Sequence, residues 1–203
     1  MTTAALNSLV LATVGGLIAT VLAALLSYTA IKSNLRGKRF VEMIAVFPMV
    51  FPGLIFSLAL LWAGITIFRP LWGTLWILLA AYIVVLLPRA ARTITNSIFQ
   101  LHDELEEVAR TSGSGWLSTF RNITLPILRP SLTNAFILAF FQGYQLLGPA
   151  VLLATPGTTV LSVFLLSLWV NGHVTDVAAG AVIYGGLSVA LVITAKFIFK
   201  AKL

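Results

Sequence analysis

A chain of 203 residues that is 59% hydrophobic and 9% charged, with a mean hydropathy of +1.02, belongs among proteins whose main solvent is lipid. Its net charge of +7 does not point to nucleic acid, because the basic residues flank apolar runs instead of forming one stripe. With no cysteine, neither a disulfide framework nor a thiolate metal site or nucleophile is available.

A helix that crosses a bilayer needs about 20 mostly apolar residues, because every backbone polar group must be satisfied within the segment. In chain order, the stretches predicted to cross are 5–31, 41–66, 73–88, 128–154 and 177–199. The first carries no charge at all up to Ile31, so it reads as a span and not as a cleaved leader with a basic start. Gly15, Ala19 and Ala23 in the first span, and Ala181 with Gly185 and Gly186 with Ala190 in the last, allow close helix approach. Packing within one subunit and contact between subunits are equally open for them.

In the second span, Pro48 and Pro52-Gly53 remove backbone donors and are predicted to kink or break the helix. Such irregular backbone either lines an aqueous cavity or is simply packed in protein. The segment 160–170 is too short to cross and is set off by Pro156-Gly157, so it reads as a re-entrant or interfacial helix. In the fourth span, Asn134, Gln142 and Gln145 fall within an arc of about 80° at 100° per residue. They either line a path for a hydrated solute or hydrogen-bond neighbouring helices.

With five spans, the loops 32–40 and 89–127 share a side with the C-terminus, and of thirteen Lys and Arg residues only Arg69 lies clearly opposite. The positive-inside rule then places the N-terminus outside and residues 89–127 with the C-terminus in the cytoplasm. Within that loop, Ile94, Ile98, Leu101, Leu105 and Val108 recur at helical spacing opposite a charged face. Asp103, Glu104, Glu106 and Glu107 crowd the end of this helix, where acids oppose the macrodipole by about 0.3–1 kcal/mol each, so a basic protein surface is expected to compensate. Gly113 and Gly115 end it. A second short helix with Trp116, Phe120 and Ile123 on one face is predicted to stop at Pro126.

The spacing of Glu107-Val108-Ala109, Gly113 and Ile123-Thr124-Leu125-Pro126 resembles the EAA loop of permease subunits of binding-protein-dependent ABC importers, with Val108 where the pattern has Ala. The likeness runs through NSLVLATVGGLIATVLAALLSY, FPMVFPG, LPRAAR and LLATPGTTVLSVFLLSLWVNGH. It is similar to the branch that carries ferric iron, thiamine, polyamines or phosphonates, iron-type members above all. Leu146 departs from the acid many relatives hold there.

The resemblance implies an all-α membrane protein of the type I fold, with about five transmembrane helices and a cytoplasmic two-helix coupling loop, forming a single permease domain over 1–203. By it, Glu107, Ala109, Gly113, Ile123, Leu125 and Pro126 couple to a cytoplasmic ATPase dimer, and Pro48, Pro52, Asn134, Gln142 and Gln145 belong to the translocation path. It further implies a second permease subunit, an extracytoplasmic solute-binding protein, surrounding membrane lipids and a bacterial-type inner membrane. No metal and no cofactor is expected on this chain, since ATP would be used by the partner. The chain begins close to its first core span, which suits either a short subunit or the second half of a fused permease.

Two rivals remain from other classes. An intramembrane enzyme would need a nucleophile or metal constellation, yet the two histidines belong to no HExxH and there is no GxSxG. A passive channel would need a filter sequence or charged ring, and none is evident.

Overall fold

The computed structural model describes residues 1–32, 37–100 and 115–199. The described residues form helices and no strand. They are α1 (Thr2–Lys32), α2 (Lys38–Val46), α3 (Gly53–Thr66), α4 (Leu75–Phe99), α5 (Trp116–Thr119), α6 (Leu125–Tyr144), α7 (Gly148–Leu153), α8 (Leu161–Val170) and α9 (Val174–Phe199).

Helices α1, α4 and α6 pack on one another as the centre of the molecule. The inward face of α1 is built from small residues: Ala12, Gly15, Gly16, Ala19, Ala23 and Ser27 are all buried. Larger side chains of α4, among them Leu78, Tyr82, Leu86 and Ile94, fill the space this leaves. Helix α6 runs antiparallel to α1 at very short range. A Cβ on Gly16 would lie 3.3 Å from the Phe140 nitrogen, and one on Gly143 would lie 3.2 Å from the Ala12 Cα. Glycine is needed at both points because backbone, which cannot swing aside, stands where a side chain would go. Gly15, Ala19 and Ala23 thus serve packing inside the subunit, whereas Gly185 and Gly186 on α9 have no described atom of the chain near them.

The second predicted span is broken, as its prolines imply. Helix α2 and the single 3₁₀ turn Phe47–Met49 meet α3 at 96°. Pro52, with φ −54° and ψ 131°, holds extended backbone at the N-cap of α3.

Three predicted boundaries are corrected. The third span does not end at 88: Pro88 is buried inside α4, which continues to Phe99. Pro88 has no N–H to give Val84, but Ala90, Ala91, Ile94 and Ile98 beyond it are buried against the neighbouring helices, and that burial carries the helix through. Residues 93–99 of the amphipathic segment are therefore the end of this long helix, and the rest of that segment lies outside the described residues.

The fourth span does not run unbroken from 128 to 154. Helix α6 ends at Tyr144 and α7 begins at Gly148, with Pro149 in its first turn. The free carbonyl of Leu146 in the gap accepts from the Tyr82 hydroxyl at 3.3 Å and the Ser162 hydroxyl at 3.0 Å.

Pro126 does not stop a helix either. Backbone stays helical from α5 through a π-turn at Phe120–Thr124 into α6, where Pro126 occupies the first turn. The wider turn, with bonds reaching five residues, accommodates a residue that cannot donate.

Helix α8, ten residues long, is too short to cross, as its sequence suggests. Its first N–H, from Leu161, donates to the buried Ser8 hydroxyl of α1 at 2.8 Å, so the cap comes from another helix. The Asn7 amide donates to the Thr159 carbonyl at 3.0 Å and fixes the same loop.

Candidate functional site

The residues assigned to coupling divide in two. Glu107, Ala109 and Gly113 lie outside the described residues, while Ile123, Leu125 and Pro126 sit where the π-turn enters α6. Ile123 and Leu125 are half-buried and Pro126 is exposed. Thr124 is buried, and Phe120 packs edge-on against Tyr28 of α1 with ring centroids 5.3 Å apart. The start of α6 is thus braced against the end of α1. A displacement applied at residues 115–126 reaches two spanning helices together, because close-packed interiors transmit strain and do not absorb it.

The residues assigned to a path are not gathered in one place. Pro48 and Pro52 belong to the bend between α2 and α3, whose 3₁₀ turn packs on α4. Asn134 faces a cavity of about 400 Å³ between α4 and α6 that Thr93, Ser97, Gln100 and Ser131 also line. Ser97 and Ser131 bond through their hydroxyls across that cleft. Further along α6, the buried Oε1 of Gln142 has no hydrogen-bond partner among the described residues. In hydrocarbon such an orphan costs several kcal/mol, so a group beyond the described residues is expected to serve it. Gln145 is exposed at the C-cap of α6. The polar residues therefore follow α6, as read from the sequence, while the proline pair stands apart.

Sequence reasoning missed the tyrosine cluster that closes this region. Tyr144 stacks on Tyr184 of α9 with centroids 4.8 Å apart, and the Tyr184 hydroxyl donates to the Tyr144 carbonyl at 2.7 Å. Tyr82 grips the break after α6 from the other side. These tyrosines were visible only as single aromatic residues in apolar runs; their separations along the chain carry no periodic signal.

Two features bear on the rival readings. Among the described residues, no group of three His, Asp or Glu side chains is placed to hold a metal ion. His173 Nδ1 lies 3.7 Å from Asp176 Oδ2 in an exposed turn, a loop contact at the start of α9 where an acid suits the helix dipole.

The helical core, with its broken second span and the helical turns that precede α6, is one that other membrane proteins share. The family of binding-protein-dependent transport system inner membrane components matches residues 15–202. The chain belongs to this family.

As a member it is similar over 96% of its length, at 26% identity, to the Fe(3+)-transport system permease protein FbpB 2 of Haemophilus influenzae. It is also similar to the molybdate/tungstate transport system permease protein WtpB of Pyrococcus abyssi, at 31% identity over 73% of the chain. A putative 2-aminoethylphosphonate transport system permease protein of Salmonella paratyphi A is 26% identical over 82% of the chain. The chain spans 38%, 58% and 63% of the lengths of these three relatives.

Among solved structures, a bacterial ABC transporter involved in alginate import superposes with a TM-score of 0.79, covering 98% of this chain and 78% of that one, at 18% identity. The MetNI methionine ABC transporter gives 0.76, covering 96% and 92%, at 20% identity. These establish the fold: the transmembrane architecture of ABC importers, all-helical and multi-pass.

Proposed function

We propose that this family member is the solute-translocating subunit of an ATP-driven importer, that it works beside a second permease subunit, and that it hydrolyses nothing itself. ATP is consumed by a cytoplasmic ATPase dimer that grips residues 106–126, and solute arrives from an extracytoplasmic binding protein. Residues 89–127 and both termini are oriented as the basic residues dictate, with the N-terminus outside and the C-terminus in the cytoplasm of a bacterial-type inner membrane. The whole stretch 1–203 acts as one permease domain. Ferric iron or a related small solute is the cargo, a reading supported by the iron-transport relative that aligns along almost the entire chain.

The observation that carries the proposal is the continuity of backbone from Gly115 through the π-turn into α6, with Phe120 seated on Tyr28. When the ATPase closes on ATP, the loop residues Glu107, Ala109 and Gly113 are drawn with it. Ile123, Leu125 and Pro126 pass the motion to α6, and α1 follows through the ring contact. Rocking of two such bodies exposes the polar face of α6, Asn134, Gln142 and Gln145, to alternate sides. The Gln142 oxygen, without a hydrogen-bond partner among the described residues, supports a hydrated path or a neighbouring subunit on that face.

The test is functional. Purified with its ATPase and reconstituted, the Glu107→Lys and Gly113→Trp variants are expected to hydrolyse ATP with tenfold or lower solute uptake per ATP, while inserting normally. Normal uptake in both variants, or failure of any ATPase to co-purify with the wild-type chain, overturns the coupling assignment.

A further inference from the structure

We propose that the pocket where α1, α2 and α4 meet is a binding site for a small zwitterion of amino-acid size, its cationic end held by Glu42 and its anionic end by Arg92. The pocket, of about 190 Å³, is lined by Ser27 of α1, Glu42 and Ala45 of α2, and Arg92, Thr95 and Asn96 of α4, among others. Glu42 with Ala45, and Arg92 with Thr95 and Asn96, stand three or four residues apart, so each helix turns one face to this space.

One wall is fixed. The buried Ser27 hydroxyl accepts from the Thr95 hydroxyl at 2.9 Å and donates to the Ala91 carbonyl at 3.3 Å, which ties α1 to α4. The charged groups are not committed in this way. Glu42, Arg92 and Asn96 are exposed, and among the described residues none of the three has a side-chain hydrogen bond or an ion pair. Two opposite charges thus line one small pocket from different helices without pairing.

That arrangement selects among ligands. A lone anion drawn to Arg92 meets the Glu42 carboxylate in the same space, and a lone cation drawn to Glu42 meets the Arg92 guanidinium, so attraction and repulsion offset. A molecule carrying both charges on a short linker gains at each end. The Thr95 hydroxyl, having given its proton to Ser27, can only accept, which suits an ammonium, while the Asn96 amide can donate or accept. The volume equals about six waters at roughly 30 Å³ each, which admits an amino acid and excludes a nucleotide. A divalent metal ion is poorly served, since Glu42 is the only acid that lines the pocket.

No residue of α6 lines this pocket, so the site stands apart from the polar face proposed above to carry solute and does not rest on that reading. A ligand seated there ties α2, whose one buried residue is Ala45, to α4.

The experiment uses the full chain with its co-purifying partners in deuterated detergent, with β-alanine as the probe and propanoate and propylamine as analogues that each keep one of its charges. Saturation transfer from protein to probe, read by NMR, is expected to be at least fivefold stronger for β-alanine than for either analogue at equal concentration. Glu42→Gln and Arg92→Gln should each lower the β-alanine signal about fivefold, to the level of the analogues. The reversed chain, Glu42→Arg with Arg92→Glu, should recover most of it, because a zwitterion can bind end for end, and a variant that merely fails to fold gives no recovery. Size-exclusion profiles matching wild type check the fold of each variant.

Equal signals from the three probes, or a β-alanine signal unchanged in both single variants, would overturn the proposal. A reversed chain that regains thermal stability but no β-alanine signal overturns it as well, since the two charges would then serve each other and not a ligand.

Discussion

Helices α1 and α3 are both strongly apolar, yet their fates differ. Helix α1 buries ten residues, nearly all Gly, Ala, Ser or Thr, whereas α3 buries only Ser57 and Gly64 and leaves Leu54, Ile55, Leu58 and Trp62 exposed. In water the larger side chains would have gone inside. In lipid they gain nothing by doing so, because the acyl chains are as apolar as leucine, and close backbone approach decides which face is interior. Between these two helices, residue size and not hydrophobicity separates centre from rim, the large buried side chains of the centre coming from α4. Helix α9 repeats the point from the other side: its Val182, Ile183 and Val189 are exposed while Tyr184 and Ser188 face inward.

That contrast can be broken hardest at the α1–α6 crossing. Gly143→Leu places side-chain atoms against the Ala12 backbone and is expected to destabilise by about 3 kcal/mol or more, above the usual range for overpacking at a site that can yield. Gly16→Val against Phe140 should come close to it. Denaturant titration of the detergent-solubilised protein measures both, and near-wild-type midpoints would mean that the centre is less tightly joined than it looks.

Next in size is Ser8→Ala. It strips the cap from α8 and leaves the buried Leu161 N–H unserved, at about 1–2 kcal/mol. Faster hydrogen exchange confined to residues 160–164 would mark the effect as local.

A smaller change follows for Tyr184→Phe, which keeps the stacking on Tyr144 and loses only the 2.7 Å bond to its carbonyl. Hydrogen bonds between transmembrane helices average about 0.6 kcal/mol, so the shift should be near that value. A loss of several kcal/mol would show that the tyrosine cluster is a hub.

The smallest effect belongs to Gly185→Leu on the open face of α9, where nothing described stands near the new side chain. Folding of the subunit should be unchanged within a few tenths of a kcal/mol. A simultaneous loss of assembly, read by light scattering, would assign that face to a protein neighbour and not to lipid.

The sequence was informative where the physics is local. Hydropathy summed over a window located every long helix, because crossing a bilayer is a property of the segment itself. Pro48 and Pro52 announced the break in the second span for an equally local reason, the missing N–H. The same rule misled at Pro126, and hydropathy ended the third span too early, at 88. At Pro88 the flanking apolar face is buried against α1 and α6, and at Pro126 a π-turn absorbs the lost donor; neither condition can be read within a few residues of the proline. The gap at Gln145–Leu147 was hidden for a related reason. The hydroxyls that hold its carbonyl come from Tyr82, far back in the chain, and from Ser162, beyond the next helix. For the candidate site, Asn134 and Gln142 lie on α6 while Gln145 falls at its C-cap, beyond the last turn that the angle assumed, and the ring contact between Tyr28 and Phe120 joins residues with no periodic relation.

The five-residue turn at Phe120–Thr124 also sets an angular offset. Each residue of an α-helix advances about 100°, so one surplus residue rotates everything before Phe120 relative to everything after Leu125 by about that amount. Deleting one residue there would restore ordinary winding, yet swing α5 roughly a quarter-turn around the axis of α6. The direction in which the stretch before α6 is offered to a partner is therefore written in the count of residues within one turn.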